Sequence, residues 1–397
     1  MANFKETDKK KIAFVCQRYG LEVNGGAELY CRQIAENLSQ IYDVTVYTTC
    51  AKDHMTWANE YRAGSEEING VHVKRFRNDR QRILPDFLEI YAKIGSSQAH
   101  TDLQEIEFIE KQGPYCPGLI KGLAAEHNHY KVIFFVTYLY YTTVMGLLKD
   151  FDNAVLIPTV HDEPAVYLRL FDKVFASAKA FIWNTEEEKT FAQKRFPFLE
   201  NKAGEVVGLG IQKPQGTLPP IPESIANSPY IVYAGRIEAG KGCTKLFSYF
   251  QRYKKRFPGD LKLVLLGKAA MEIPKSQDII HLGFVSEEMK FAIMQQALLL
   301  VLFSKHESLS MVVLESMIMG RPVLVNEECE VLKGHCVRSN AGLYFGNYPE
   351  FEGALNYLQT HKEQYETMCR NGEKYVEYNY QWPVIIRKYQ NIIAAIG

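Results

Sequence analysis

Two carboxylates stand eight residues apart in the stretch Phe303-Ser-Lys-His-Glu307-Ser-Leu-Ser310-Met-Val-Val-Leu-Glu315. Glu307 follows an apolar run that reads as a strand. Glu315 falls in the second turn of a helix expected to open after Ser310, read as its N-cap. A ligand over that helix N-terminus would meet both carboxylates and the N–H groups of Met311 and Val312. Paired carboxylates can clamp sugar hydroxyls through charge-assisted hydrogen bonds. Glu315 lies among Val312, Val313, Leu314, Met317 and Ile318, and a carboxylate in such company needs a partner. The plainer alternative, two ordinary helix-end glutamates, is weaker for Glu315 than for Glu307.

A second loop, Gly235-Arg-Ile-Glu-Ala-Gly-Lys241-Gly242, falls one residue short of the phosphate-binding pattern GxxxxGK[ST]. Gly242 stands where a hydroxyl would hold magnesium, which argues against a magnesium-dependent NTPase. What remains is Arg236, Lys241 and glycines after a strand, a set suited to holding a diphosphate with cations in place of a metal. Cations at a helix start oppose its dipole, so leaving them there as bare surface charge has a cost. In the first half, Asn24-Gly25-Gly26-Ala27-Glu28 joins a strand to a helix. Its glycines let backbone come close to a ligand, although a plain surface turn is as good a reading. His161 follows the apolar run Ala154–Val160, at the carboxyl end of a strand where α/β sheets bind ligands. A lone histidine is more often structural, and here the position favours function.

These loops need a parallel sheet to carry them. Strands are expected at Lys11–Cys16, Asp43–Thr48, Val71–Arg75, Lys131–Thr137, Ala154–Val160 and Phe181–Asn184, with a helix over Ala27–Leu38. A second series starts near residue 230. It has strands at Tyr230–Ala234, Lys262–Leu266, Ile279–Leu282, Leu298–Phe303 and Pro322–Val325, and helices at Cys243–Phe257 and Met311–Met319. Residues 85–130, rich in aromatic and charged side chains, read as helices forming one wall of a cleft. Lys213–Pro229 carries five prolines and reads as an interdomain linker. The pattern over Tyr375–Ile396 is helical, interrupted at Trp382-Pro383, and such a terminal helix can pack back on the first domain.

The chain has 397 residues, enough for two domains, and its 46 basic side chains balance 46 acidic ones, so no overall field draws nucleic acid. The start of the sequence shows no secretory signal, and its longest apolar runs, such as Val132–Val136 and Ala297–Phe303, are too short to cross a bilayer. The eight cysteines form no CxxC pair and no zinc spacing, which fits reduced, buried thiols in the cytoplasm.

Taken in order, the motifs resemble those of the GT-B fold glycosyltransferases of family 4. Glu307 and Glu315 resemble that family's E-x7-E pair, Gly235-Arg236 with Lys241-Gly242 its donor-diphosphate loop, Asn24-Gly25-Gly26-Ala27-Glu28 its N-terminal acceptor-side loop, and His161 its active-site histidine. Val207–Ile211 looks like the strand and turn into the second domain, and Trp382 like the turn before a helix that crosses back. The resemblance spans nearly the whole chain. It implies an α/β protein of GT-B architecture, two Rossmann-like domains with parallel sheets facing a central cleft: residues 1–205, then 206–380, with 381–397 returning to the first.

The resemblance also implies roles. Arg236 and Lys241 would neutralise the leaving nucleoside diphosphate, with Gly235, Ser310, Met311 and Val312 around it. Glu315 would accept from the ribose hydroxyls, Glu307 would contact the donor sugar, and His161 would lie by the reacting centre, with Gly25 and Gly26 on the acceptor side. Transfer would proceed with retention, using a nucleotide sugar and neither cofactor nor metal. UDP-glucose is the expected donor ahead of GDP-mannose. The acceptor would be a saccharide or a lipid-linked saccharide, met at the cytoplasmic face of a membrane through Lys74–Arg82 or 85–130. Ser310 departs from the glycine usual there. The rival readings are a nucleotide-sugar epimerase of the same fold, a P-loop NTPase, a dinucleotide oxidoreductase and a sugar-binding protein without activity.

Overall fold

The computed structural model describes residues 9–23, 25–95 and 100–396. The chain divides into two compact units: one ends at Leu209 and resumes from Ile385, and the other runs from Gly210 to Val384. The proline-rich stretch 213–229, expected as a linker, belongs inside the second unit. Ile225 is buried there, and Lys213 pairs with Glu373 at 2.8 Å. Prolines here fix an extended path over a surface that holds it, so the segment does not act as a spacer.

The first unit is built on an eight-stranded sheet in the order β3-β4-β2-β1-β5-β6-β7-β8. Its strands are β1 (Lys11–Val15), β2 (Asp43–Thr49), β3 (Gly64–Ile68), β4 (Val71–Phe76), β5 (Val132–Val136), β6 (Ala154–Ile157), β7 (Ala180–Trp183) and β8 (Ala203–Val206). All neighbours pair parallel except β3 with β4. The helices of this unit are α1 (Gly26–Leu38), α2 (Leu84–Gly95), α3 (Asp102–Gln112), α4 (Pro117–Glu126), α5 (Tyr141–Leu147), α6 (Arg169–Ser177) and α7 (Glu186–Arg195). The central strands β5, β6 and β7 are buried along their whole length, as strands covered on both faces must be.

The second unit has a six-stranded, all-parallel sheet in the order β11-β10-β9-β12-β13-β14. These strands are β9 (Tyr230–Ala234), β10 (Lys262–Leu266), β11 (Ile279–Gly283), β12 (Leu299–Leu302), β13 (Val323–Asn326) and β14 (Gly342–Phe345). Its helices are α8 (Glu223–Ala226), α9 (Cys243–Arg256), α10 (Glu287–Gln296), α11 (Met311–Ile318), α12 (Glu330–Ser339), α13 (Tyr348–Thr360) and α14 (Lys362–Asn379). The last helix, α15 (Trp382–Ile396), opens at the end of this unit, and from Ile385 it packs in the first. There Tyr389 Oη lies 2.9 Å from Tyr30 Oη of α1, and its ring meets Phe134 of β5 edge-on. Trp382 and Pro383 open this helix, so the interruption expected at them falls just before, at Tyr380–Gln381.

In each sheet the strand order reverses at one point. Ligands of open α/β sheets bind outside the carboxyl ends of the strands at such a reversal, because the loops there run apart and leave a crevice. The reversal lies between β1 and β5 in the first unit and between β9 and β12 in the second. Val207–Ile211, read as a strand and turn, follows directly on β8: the N–H of Val207 donates to the Trp183 carbonyl of β7 at 2.8 Å, and the chain then turns at Gly208, whose φ is 75°.

Candidate active site

The glycine loop Gly235–Gly242 leaves β9, and the loop bearing Glu307 and Ser310 leaves β12, so both arise at the reversal of the second sheet. Their closeness is set by glycine. A Cβ on Gly242, which has φ 75°, would run into the carbonyl of Phe303, the first residue after β12. A Cβ on Gly267 would likewise strike the carbonyl oxygen of Gly235. The glycine that breaks the magnesium-binding pattern is therefore required by packing: no serine or threonine fits there without moving the neighbouring loop.

The approach brings Lys241 Nζ to 2.8 Å from Glu307 Oε1. Arg236 stays more exposed, 3.3 Å from Glu238, and its carbonyl accepts from the Tyr233 hydroxyl at 2.7 Å. A diphosphate entering this corner would find two cations, each already partly neutralised by a carboxylate. Behind Glu307 the loop is held by two buried groups that the sequence reading missed. Asn326 Nδ2 donates to the carbonyls of Phe303 and Ser304, and the fully buried His335 places Nε2 2.8 Å from the Leu309 carbonyl.

Glu315 is where the helix period placed it, buried on α11, and its required partner is Lys290 of α10. Both carboxylate oxygens lie 2.8 Å from Lys290 Nζ. Burial pushes the Glu315 carboxyl up against the pull of Lys290. Burial lowers Lys290, but Glu315 and Glu287 outweigh it and leave the ammonium raised. We read the pair as ionised, because removing either charge would strand the other in the core. Glu315 thus meets any ligand hydroxyl as one half of an ion pair. Nothing in the spacing of Ser286-Glu-Glu-Met-Lys290 pointed to that lysine.

Ser310 corrects an expectation. It occupies the N-cap place of α11 but accepts no hydrogen bond from the helix, and its backbone is left-handed at φ 59°. A capping side chain needs extended backbone for its oxygen to reach the second or third N–H. The buried Ser310 hydroxyl has no hydrogen-bond partner among the described residues. The helix instead presents the backbone of Met311 and Val312, both half-buried.

In the first unit, Gly25 and Gly26 open α1 after β1, and Asn24 lies outside the described residues. A side chain on Gly25 would collide with Glu28, which is buried and paired with Arg18 at 2.7 Å while accepting from Gln17 Nε2 at 2.9 Å. A buried Gln17–Arg18–Glu28 cluster therefore underlies the glycine loop. His161 is half-buried after β6, its Nε2 3.8 Å from Glu163 Oε1, which accepts from the Tyr138 hydroxyl at 2.6 Å. The basic run 74–82 is largely engaged within the unit. Lys74 pairs with Glu126, Arg75 with Glu66 and Arg80 with Glu110. Arg82 donates to the carbonyls of Gln112 and His54, and burial lowers its guanidinium to about 10. Within α2–α4, which fill the stretch expected to be helical, Leu88 is left exposed; the neighbouring Ile83 is also exposed. No helix among the described residues is long and apolar enough to cross a membrane.

Residues 228–358 match the family described as Glycosyl transferases group 1. No curated protein matches the chain. Among solved structures, the chain is similar to sucrose-phosphate synthase from Thermosynechococcus elongatus, at 15% identity over 98% of this chain and 100% of that one, TM-score 0.68. It is similar to HepE from Anabaena, solved with UDP and glucose, at 16% identity over 98% and 99%, TM-score 0.63. It is also similar to the E. coli trehalose-6-phosphate protein bound with UDP-2-fluoro glucose, at 11% identity over 98% and 99%, TM-score 0.70. These similarities establish the GT-B fold. The group 1 match, over the part of the chain that carries Lys241, Glu307 and Glu315, marks a transferase enzyme.

The strained, uncapped Ser310 makes a prediction. Ser310→Gly removes a left-handed side chain and an orphaned buried hydroxyl, and should stabilise the protein by about 1 kcal/mol, seen as a rise in Tm of a few degrees. A Tm that stays level or falls would show that Ser310 is not strained.

Proposed function

We propose that the protein is a retaining glycosyltransferase that moves a hexose from a nucleotide sugar, with UDP-glucose as the best candidate, to a saccharide or lipid-linked acceptor, without metal or cofactor. The observation that carries this reading is the meeting, at one sheet reversal, of Lys241, Glu307, a glycine-lined loop and the N-terminus of α11. HepE and the E. coli protein were solved with UDP or a UDP-sugar, which supports a uridine donor.

In this reading the diphosphate lies between the glycine loop and the first turn of α11. As the bond from the anomeric carbon to the diphosphate oxygen breaks, charge grows on that oxygen. Lys241, Arg236 and the N–H groups of Met311 and Val312 meet it. Lys241 then exchanges part of its pairing with Glu307 for the phosphate, which frees Glu307 to accept from a sugar hydroxyl. Glu315, fixed by Lys290, accepts from the ribose. The acceptor hydroxyl bonds to the anomeric carbon on the face the diphosphate leaves and passes its proton to the departing diphosphate oxygen, with His161 beside the reacting centre and Gly25 and Gly26 shaping the acceptor side. An epimerase of this fold would use the same donor corner and would form no acceptor product.

Thermal denaturation in the presence of UDP-glucose, GDP-mannose and ATP tests the donor. Ligand that binds only the folded state raises Tm. UDP-glucose should raise it equally with EDTA, and Arg236→Ala or Lys241→Ala should reduce turnover about 100-fold or more. A rise only with ATP and magnesium would overturn the reading in favour of an NTPase.

The protein acts, in this proposal, in the cytoplasm and at the cytoplasmic membrane face. With most cations of the run 74–82 engaged internally, contact with a lipid-linked acceptor rests on the exposed Ile83, Leu84 and Leu88. Vesicles carrying anionic lipid should then sediment the wild type, and Leu84→Glu with Leu88→Glu should release it. Protein that stays in the supernatant throughout would remove the membrane from the account.

A further inference from the structure

His161 takes its place from the turn Pro158–Val160, and that turn is strained. Thr159 has φ 53°, a left-handed value that a β-branched residue rarely adopts and that must be enforced by its surroundings. One side of the enforcement comes from the loop after β5. There Thr137 is itself left-handed at φ 67°, and the N–H of Tyr138 donates to the Pro158 carbonyl at 3.0 Å. The other side comes from α7. Glu188, only 2% exposed, lies in the first turn of that helix and accepts from the N–H of Val160 at 2.8 Å and of Asn184 at 2.6 Å. Its own N–H is capped by the Thr185 hydroxyl. One carboxylate therefore ties the turn after β6 to the turn after β7.

We propose that Glu188 is the positioning residue of His161, fixing the Thr159–Val160 backbone so that the imidazole is presented in a single place. This rests on the role given to His161 above. Three features set the tie apart from an ordinary helix cap. It is made to backbone of another strand's loop, at the residue directly before the histidine. It uses both oxygens, one for each turn, so a carboxamide can keep only one of the two bonds. And no cation is paired with it among the described residues: backbone N–H groups at the start of α7 and in the turn after β6 are its partners.

Burial pushes the Glu188 carboxyl up to about 8, against the opposing pull of the Asn184, Val160 and Thr159 amides. The titratable group facing it from α1 is Tyr30, itself bonded to Tyr389 of α15 and raised by burial. A buried acid with so little compensation costs stability, and its retention at this place fits a task in orienting the loop.

The test compares Glu188→Gln, Glu188→Ala and His161→Ala with the wild type in two measurements. In amide hydrogen exchange, the Gln variant should lose protection roughly tenfold or more over residues 158–163, the equivalent of one lost backbone bond, while β5 and α1 keep theirs. Unchanged exchange at 158–163 overturns the proposal whether or not a turnover assay succeeds. In UDP release from UDP-glucose, both Glu188 variants should lower kcat with KM unchanged, following His161→Ala. If His161→Ala lowers kcat and Glu188→Gln does not, the positioning role is wrong. If His161→Ala matches the wild type, it is the role of His161 that falls. Should Glu188→Ala fail to fold, Glu188→Gln, which preserves volume and one acceptor, still decides the matter.

Discussion

How closely two backbones can approach governs the second unit. β9 and β12 are neighbours at the reversal of a parallel sheet, so the loops that leave them start side by side. For Lys241 to reach Glu307, the first loop must pass against the carbonyl of Phe303, and only a glycine at 242 leaves room. The other features follow from that approach. Gly267 admits Gly235, Asn326 and His335 hold the second loop from behind, and Ser310 is forced into a left-handed turn so that α11 can start at the corner. The cost is local strain and an unpartnered hydroxyl, features that accumulate where a backbone must face a ligand.

The first unit solves a comparable problem with buried charge. Its loops must be held at the carboxyl ends of β1, β5, β6 and β7, and it fixes them with acids that accept from backbone or from buried partners. Glu28 sits under the Gly25–Gly26 loop with Arg18 and Gln17, Glu163 is tied to Tyr138, and Glu188 joins the turns after β6 and β7. Such networks are expensive if any member is missing and rigid when all are satisfied. A transferase needs that rigidity, since an acceptor displaced by an ångström loses most of the benefit of being held.

Much of this was legible in the sequence, and the omissions have physical reasons. Central strands such as Val132–Val136 and Tyr230–Ala234 are buried on both faces and read as unbroken apolar runs. The three strands that escaped the reading, Gly64–Ile68, Ala203–Val206 and Gly342–Phe345, are all sheet edges. An edge needs no apolar face, and the first of them is polar and almost wholly exposed. The loops after β9 and β12 stood out because glycines, cations and paired carboxylates after strands are rare in combination. Their partners were not. Lys290 reaches Glu315 from another helix, His335 reaches the Leu309 carbonyl from α12, and Glu188 meets Val160 across 28 positions of sequence. Contacts of that range leave no periodic trace. The interdomain reading of the proline-rich stretch failed because composition describes stiffness and says nothing of what the segment packs on.

The central claim is that the corner between the glycine loop and α11 receives a nucleoside diphosphate and releases it from a sugar. Phosphorus NMR of UDP-glucose incubated with the protein in EDTA, with and without candidate saccharides, follows that event directly. The account predicts loss of the UDP-glucose signals and growth of free UDP, faster with a competent acceptor and unaffected by the chelator. UDP-glucose and its sugar-nucleotide relatives left intact, while ATP is cleaved once magnesium is supplied, would contradict it.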